Sequence, residues 1–144
     1  MDKGIYCLIL SCAEPCTVQI GALGPTAFKK GWYLYAGSAL GSGGLSRVTR
    51  HIRFFHEQYR KPKWHIDYLM AAGGVTLTSV FCAKTKERLE CVLAKNIGGD
   101  RVGKFGCSDC RCASHLFYRK DFPETEVIRA FENAGLEPVF HLIR

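Results

Sequence analysis

No apolar run in the sequence approaches the ~18–20 residues of a membrane-spanning helix, which excludes a helical anchor within it. Internal repeats, low-complexity tracts and Pro- or Gly-rich linkers are also missing, so the 144 residues are expected to form a single domain, 1–144. Met1-Asp2-Lys3-Gly4 passes straight into a strand-like segment. It lacks the basic lead, apolar stretch and small-residue cleavage site of a secretory signal, and a cytoplasmic location is expected. Acidic residues are scarce: 13 Asp and Glu face 20 Lys and Arg, a formal charge of +7. The resulting pI near 9.1 favours a polyanionic partner, because each neutralised phosphate releases condensed counterions.

Apolar material is ample. A hydrophobic content of 47% supplies a core and argues against disorder. The eight cysteines need not be staples, since a chain of this length buries a core unaided. Reduced thiols, and hence metal ligands, are the reading that follows.

The run Gly4 to Ser11 reads as a buried strand, and Thr17 to Gly21 as a brief second strand before the Gly24-Pro25 break. Trp32 to Gly37 is an aromatic-rich strand. A glycine-rich loop then feeds a helix from about Leu45 to Gln58, with a stripe of Leu45, Val48, Ile52 and Phe55 at helical spacing. Arg47 and His51 share the flank beside that stripe, whereas Arg50 points away. A second helix is predicted over Trp64 to Ala71, a β-branched strand over Val75 to Cys82, and a third helix over Lys86 to Asn96. In that third helix Leu89, Val92 and Leu93 are expected to face inward. A short strand at Leu116 to Tyr118 and a last helix over Glu124 to Ala134 precede an apolar tail. The predicted class is α+β: a small antiparallel or mixed sheet of about three main strands, flanked by helices, with a small extra hairpin.

Two tyrosines on separate strands, an Arg/His pair on a helix flank and a glutamate on a later helix are suited to phosphodiester hydrolysis. A hydroxyl orients the attacking water, a cation meets charge growing on phosphate oxygens, and a carboxylate holds a hard metal. Gly4-Ile5-Tyr6 followed by Tyr35-Ala36-Gly37 resembles the paired strand motif of the GIY-YIG nucleases. Arg47 falls where that family carries its arginine, His51 matches a histidine of some members, and Leu89-Glu90-Cys91-Val92-Leu93 resembles the helix with the metal-binding glutamate. The likeness spans about residues 4–96. Tyr35 to Gly41 and Lys61 to Leu69 resemble a subgroup of archaeal and bacterial domains of unknown function, sometimes attached to endonuclease III-type repair enzymes.

The resemblance implies a metal-dependent endonuclease acting on DNA, in repair or on particular DNA structures. Tyr6 would be the general base or water-orienting hydroxyl, and Tyr35 would support the scissile phosphate. Arg47 would stabilise the oxyanion, His51 would assist by hydrogen bonding or proton transfer, and Glu90 would bind Mg²⁺ or Mn²⁺. Lys29, Lys30 and Arg50 would contact the nucleic acid. The sequence departs from the family in a longer interval between the two tripeptides, in Ala36, and in having no match to the family's late asparagine, since Asn96 comes too early.

Each residue also has a plainer reading. Tyr6 and Tyr35 can be half-buried strand aromatics, Arg47 and Arg50 solvated helix charges, and Glu90 a partner of Lys86 or Lys95, with Glu87 its rival. His65 and Asp67 read as anchors of the second helix, or else as contributors to the cleft, the structural role being favoured. Trp32, Tyr33 and Tyr35 beside Lys29 and Lys30 can be core or a stacking platform. The competing function is a catalytically inactive basic module that binds nucleic acid through the same surface. Separately, Cys107, Cys110, Cys112 and His115 place four soft ligands within nine residues, a candidate Zn²⁺ site or else an ordinary hydrogen-bonded loop.

Overall fold

The computed structural model describes residues 2–107 and 112–143. Its order of elements is β1 (Gly4–Cys12), β2 (Cys16–Ile20), β3 (Gly24–Phe28), β4 (Gly31–Ala39), α1 (Ser46–Glu57), α2 (His65–Met70), β5 (Val75–Lys84), α3 (Glu90–Ile97), β6 (Leu116–Arg119), α4 (Glu124–Asn133) and β7 (Val139–Leu142). Five strands form one sheet in the order β6-β4-β1-β5-β7, and β2 with β3 forms a separate two-stranded sheet.

β1 is apolar throughout because it is the middle strand, antiparallel to β4 on one side and to β5 on the other. Both of its faces are covered, so the usual alternation of apolar and polar residues disappears. Alternate side chains enter two cores. Tyr6, Leu8, Leu10 and Cys12 pack with Val48, Phe54, Ile66 and Leu69 from α1 and α2. Ile5, Cys7 and Ile9 pack with Leu93 and Ile97 of α3 and with Val127 and Phe131 of α4. Fully burying one such aliphatic or aromatic side chain stabilises the fold by roughly 1.5–3 kcal/mol, and the two cores together fix the sheet between its helices.

The α+β class is as expected, but the sheet has five strands where about three were predicted, and every pairing in it is antiparallel. The additional strands β6 and β7 lie at the two edges and have only four residues each, too few to show a period. The whole of β7 is exposed although it pairs with β5, so its apolar residues carry no burial signal. The extra hairpin is present as β2 and β3. Its second strand runs through the predicted Gly24-Pro25 break, with Pro25 opposite Gln19. In a two-stranded sheet each strand has an unpaired edge, which tolerates the missing proline N–H.

Two helices differ from the prediction in ways that matter for the site. In α1 the buried residues are Val48, His51 and Phe54, so the inward stripe is turned toward the flank that carries His51. α3 begins at Glu90 instead of Lys86. The Thr85 hydroxyl accepts the Glu87 amide N–H, a local turn that competes with helix nucleation. With that later start Leu93, Ala94 and Ile97 face inward, and Val92, predicted inward, is exposed. Among the described residues no helix is long and apolar enough to cross a membrane.

Candidate functional site

A polar cleft of about 590 Å³ opens over β1 and β4 and reaches the start of α3. Tyr6, Tyr35, Arg47, His51 and Glu90 all line it.

Tyr6 is placed by the strand register. It lies opposite Gly37 of β4, and its ring crosses the backbone there so closely that a methyl group on Gly37 would collide with it. Gly4 is constrained in the same way, its missing side chain leaving room for the Ala83 carbonyl oxygen. The glycines of both tripeptides are therefore required by close approach. Beyond Gly37, the Tyr6 hydroxyl lies 2.8 Å from His51 Nε2. Burial, reinforced by the nearby Tyr35 phenol, raises the Tyr6 pKa well above its ordinary value, against the opposing pull of Arg47. Tyr6 is thus a neutral hydroxyl in the resting site. Burial likewise lowers His51 from 6.5 to about 4, so its imidazole is neutral at physiological pH, and its Nδ1 is buried without a hydrogen-bond partner among the described residues.

Arg47 crosses from α1 to donate from Nη1 to the Ser38 carbonyl at 3.1 Å, and its guanidinium lies 5.4 Å from the centre of the Trp64 ring. Trp64 is held in turn by a buried carboxylate. Asp67 is fully buried and accepts the amide N–H groups of Lys63 and Trp64 and the Nη1 of Arg60, at 2.9, 3.0 and 2.9 Å. Asp67 is structural, as its sequence position indicated. His65 does more than anchor a helix: it lines the cleft while its Nδ1 accepts the Gly106 amide N–H at 2.9 Å, and burial lowers its pKa. Tyr35 stands edge-on to Phe105, with ring centres 6.1 Å apart.

Glu90 is the first residue of α3 and the only acidic side chain lining the cleft among the described residues. Its Oε2 is buried and has no hydrogen-bond partner among them. A buried carboxylate oxygen left without a donor is costly unless a cation meets it, and a hard oxygen donor suits Mg²⁺ or Mn²⁺. Glu87, its rival, is exposed and outside the cleft.

The predicted nucleic-acid contacts are not brought to this place. Lys29, Lys30 and Arg50 are exposed and do not line the cleft, and Lys29 Nζ lies 4.2 Å over the Tyr118 ring. The two lysines form the β3–β4 connection, which does not line the cleft. Tyr33 is buried core, its hydroxyl bonded to the Lys29 backbone, so it offers no stacking face. The cations that do line the cleft besides Arg47 are Lys63 and Arg88. Lys63 was visible in the Lys61 to Leu69 motif; Arg88 was hidden in a stretch that looked like ordinary helix surface.

The soft-ligand prediction changes in membership. Cys91, Cys112 and His115 form a group whose ligand atoms lie within 4.8 Å of one another, an arrangement able to hold a metal ion. Cys91, on α3, was not among the predicted ligands, because 24 residues separate it from His115 in the chain. Cys107 falls outside the group and points its sulfur at the Phe105 carbonyl, 3.5 Å away. Cys110 lies outside the described residues.

No curated protein and no solved structure matches the chain. A family model does, over residues 5–136, which include every cleft residue named above, and the chain belongs to that family, the domain of unknown function DUF123.

Proposed function

We propose that the protein is a metal-dependent nuclease of the GIY-YIG type that hydrolyses phosphodiesters, with DNA as substrate. The observation that carries this reading is the Glu90 oxygen, buried without a donor in a cleft shared with Arg47, Lys63 and Arg88. Three cations against one carboxylate make the cleft a receptor for a polyanion, and the carboxylate is where a hydrated divalent cation would be held. When bound, that ion would polarise a phosphate oxygen and offer a coordinated water.

The side chains divide the remaining work. Arg47, fixed by Ser38 and Trp64, meets negative charge developing on the phosphate. Tyr6 is too firmly protonated to act as a standing phenolate, so it orients the attacking water through its hydroxyl. His51 fixes that hydroxyl from behind. Tyr35, which lines the same cleft, supports the phosphate through its phenol. The Cys91, Cys112 and His115 group takes no part in this chemistry; its donor set suits zinc.

The test uses purified protein with Mg²⁺ or Mn²⁺ and duplex, flap, branched and single-stranded DNA. Cutting of at least one substrate is expected, with Glu90→Ala reducing the rate by 100-fold or more, on the order seen for loss of metal catalysis, while binding persists. Equal cutting by both proteins would reject the role of Glu90. Binding without cutting by the wild type, in every metal and on every substrate, would leave the inactive basic module.

A further inference from the structure

At the edge of the cleft, which His115 itself lines, stand three soft donors that the proposed hydrolysis does not use. Cys91 follows Glu90 on α3, Cys112 lies shortly before β6, and His115 immediately precedes that strand. Cys91 Sγ is 3.8 Å from His115 Nε2. Two such donors on one tetrahedral zinc ion would be about 3.5 Å apart, given Zn–S and Zn–N bonds of about 2.3 and 2.0 Å. Closure onto an ion therefore needs only small side-chain adjustments.

The second imidazole nitrogen makes the arrangement more specific. His115 Nδ1 lies 3.0 Å from the Ala36 carbonyl oxygen, which can only accept, so Nδ1 carries the proton. Nε2 then directs its lone pair toward the sulfur. This is the tautomer required of a metal-ligating histidine, set by the kind of backbone partner such ligands use. Hard ions are poorly matched to two thiolates and an imidazole, whereas zinc is well matched.

The three donors come from different parts of the fold. His115 is bolted to β4 twice, through the ring contact and through the Ala36 amide N–H, which donates to the His115 carbonyl at 2.9 Å. Cys91 belongs to a helix whose N-cap, Leu89, makes no side-chain capping bond. We infer that Cys91, Cys112 and His115 bind one zinc ion that clips the start of α3 to β4 and so holds Glu90 at the cleft. The assignment of a zinc site stands on the donor geometry, whereas the consequence for Glu90 rests on the reading of the cleft given above. Among the described residues the group supplies three of the four donors of a tetrahedral zinc site.

The experiment strips the purified protein with chelator under reducing conditions and titrates it with Zn²⁺, or with Co²⁺ as a coloured substitute. One ion per chain is expected, with thiolate-to-cobalt charge-transfer absorption. Cys91→Ser and Cys112→Ser should lose that absorption and weaken zinc uptake at least tenfold, while Glu90→Ala and Cys82→Ser keep both. Hydrogen exchange of α3 amides should slow on zinc addition in the wild type and not in Cys91→Ser. Mn²⁺ affinity, followed by electron paramagnetic resonance, should fall about tenfold in Cys91→Ser, the scale of a lost outer-shell support. Stoichiometry and exchange are read without substrate. A wild type that takes up zinc and rigidifies α3 thus supports the clip even where no DNA is cut, and one that cuts DNA without taking up zinc overturns it. Equal uptake by Cys91→Ser overturns the ligand assignment, and uptake with unchanged α3 exchange and Mn²⁺ affinity overturns the clip.

Discussion

The two walls of the cleft are built on opposite plans. Tyr6, Arg47 and His51 stand on β1 and α1, with Tyr6 and His51 buried; Tyr6 pairs with His51 and Arg47 with Ser38, while His51 Nδ1 has no hydrogen-bond partner among the described residues. Glu90, Cys91 and His115 stand at the start of α3 and ahead of β6, where a carboxylate oxygen lacks a donor and soft ligand atoms crowd together. The first wall is preorganised by packing. The second gathers oxygen and soft donors, and on the reading proposed above cations would meet them.

That contrast can be broken first through pH, which acts on the packed wall. His51 has an ordinary pKa of 6.5 and a folded value of about 4, depressed by burial. The unfolded chain therefore takes the proton first, and stability held above pH 6.5 is lost as pH falls from about 6.5 toward about 4. The shift corresponds to on the order of 3 kcal/mol, which urea unfolding at several pH values would reveal. His51→Asn removes the titrating group and should flatten the profile in that window; an unchanged slope would show that the drop arises elsewhere. Asp67, Arg47, Arg60 and Arg50 act on the same imidazole, so their substitution would shift the midpoint.

The next largest effect tests the close approach behind Tyr6. Gly37→Ala should destabilise the fold by about 2 kcal/mol, because the new methyl meets a ring confined by core. Gly41→Ala, where a methyl meets open space, should change stability by no more than about 0.5 kcal/mol. Thermal unfolding of the two variants side by side decides the matter, and similar melting temperatures would mean that Tyr6 yields easily.

The smallest effect sharpens the electrostatic side of the comparison. Lys63→Ala and Arg88→Ala should each weaken DNA binding a few-fold and reduce the slope of log affinity against log salt by about 1. Lys29→Ala and Lys30→Ala, on surface away from the cleft, should change that slope less. Equal losses from all four positions would indicate diffuse attraction by the +7 charge instead of a track through the cleft.

The packed wall was largely legible in the sequence, because it depends on local pattern. The apolar run of β1 marked a central strand, helical spacing placed Arg47 and His51 on one flank, and Gly4 and Gly37 preceded and followed the two tyrosines at fixed positions. The wall at the start of α3 was legible only in pieces. Glu90 was identified on its helix, but Cys91 joins Cys112 and His115 through folding across the sheet, a convergence that spacing does not reveal. Short edge strands such as β7 were illegible for a related reason, since their pairing with β5 supplies the order that their own four residues do not encode. The late start of α3 turned on one hydroxyl, that of Thr85, competing with the helix for a backbone amide.

The central position of β1 has a consequence for how the molecule is made. Its partners in the sheet are distant, Cys12 facing Gly31 on one side and Val75 on the other. During synthesis the strand that emerges earliest must wait for residues 31–39, and again for residues 75–84, before both of its edges are satisfied. Until then it is an adhesive apolar ribbon, able to pair with a neighbouring nascent chain. Slow translation of the interval between those segments would lengthen that exposure.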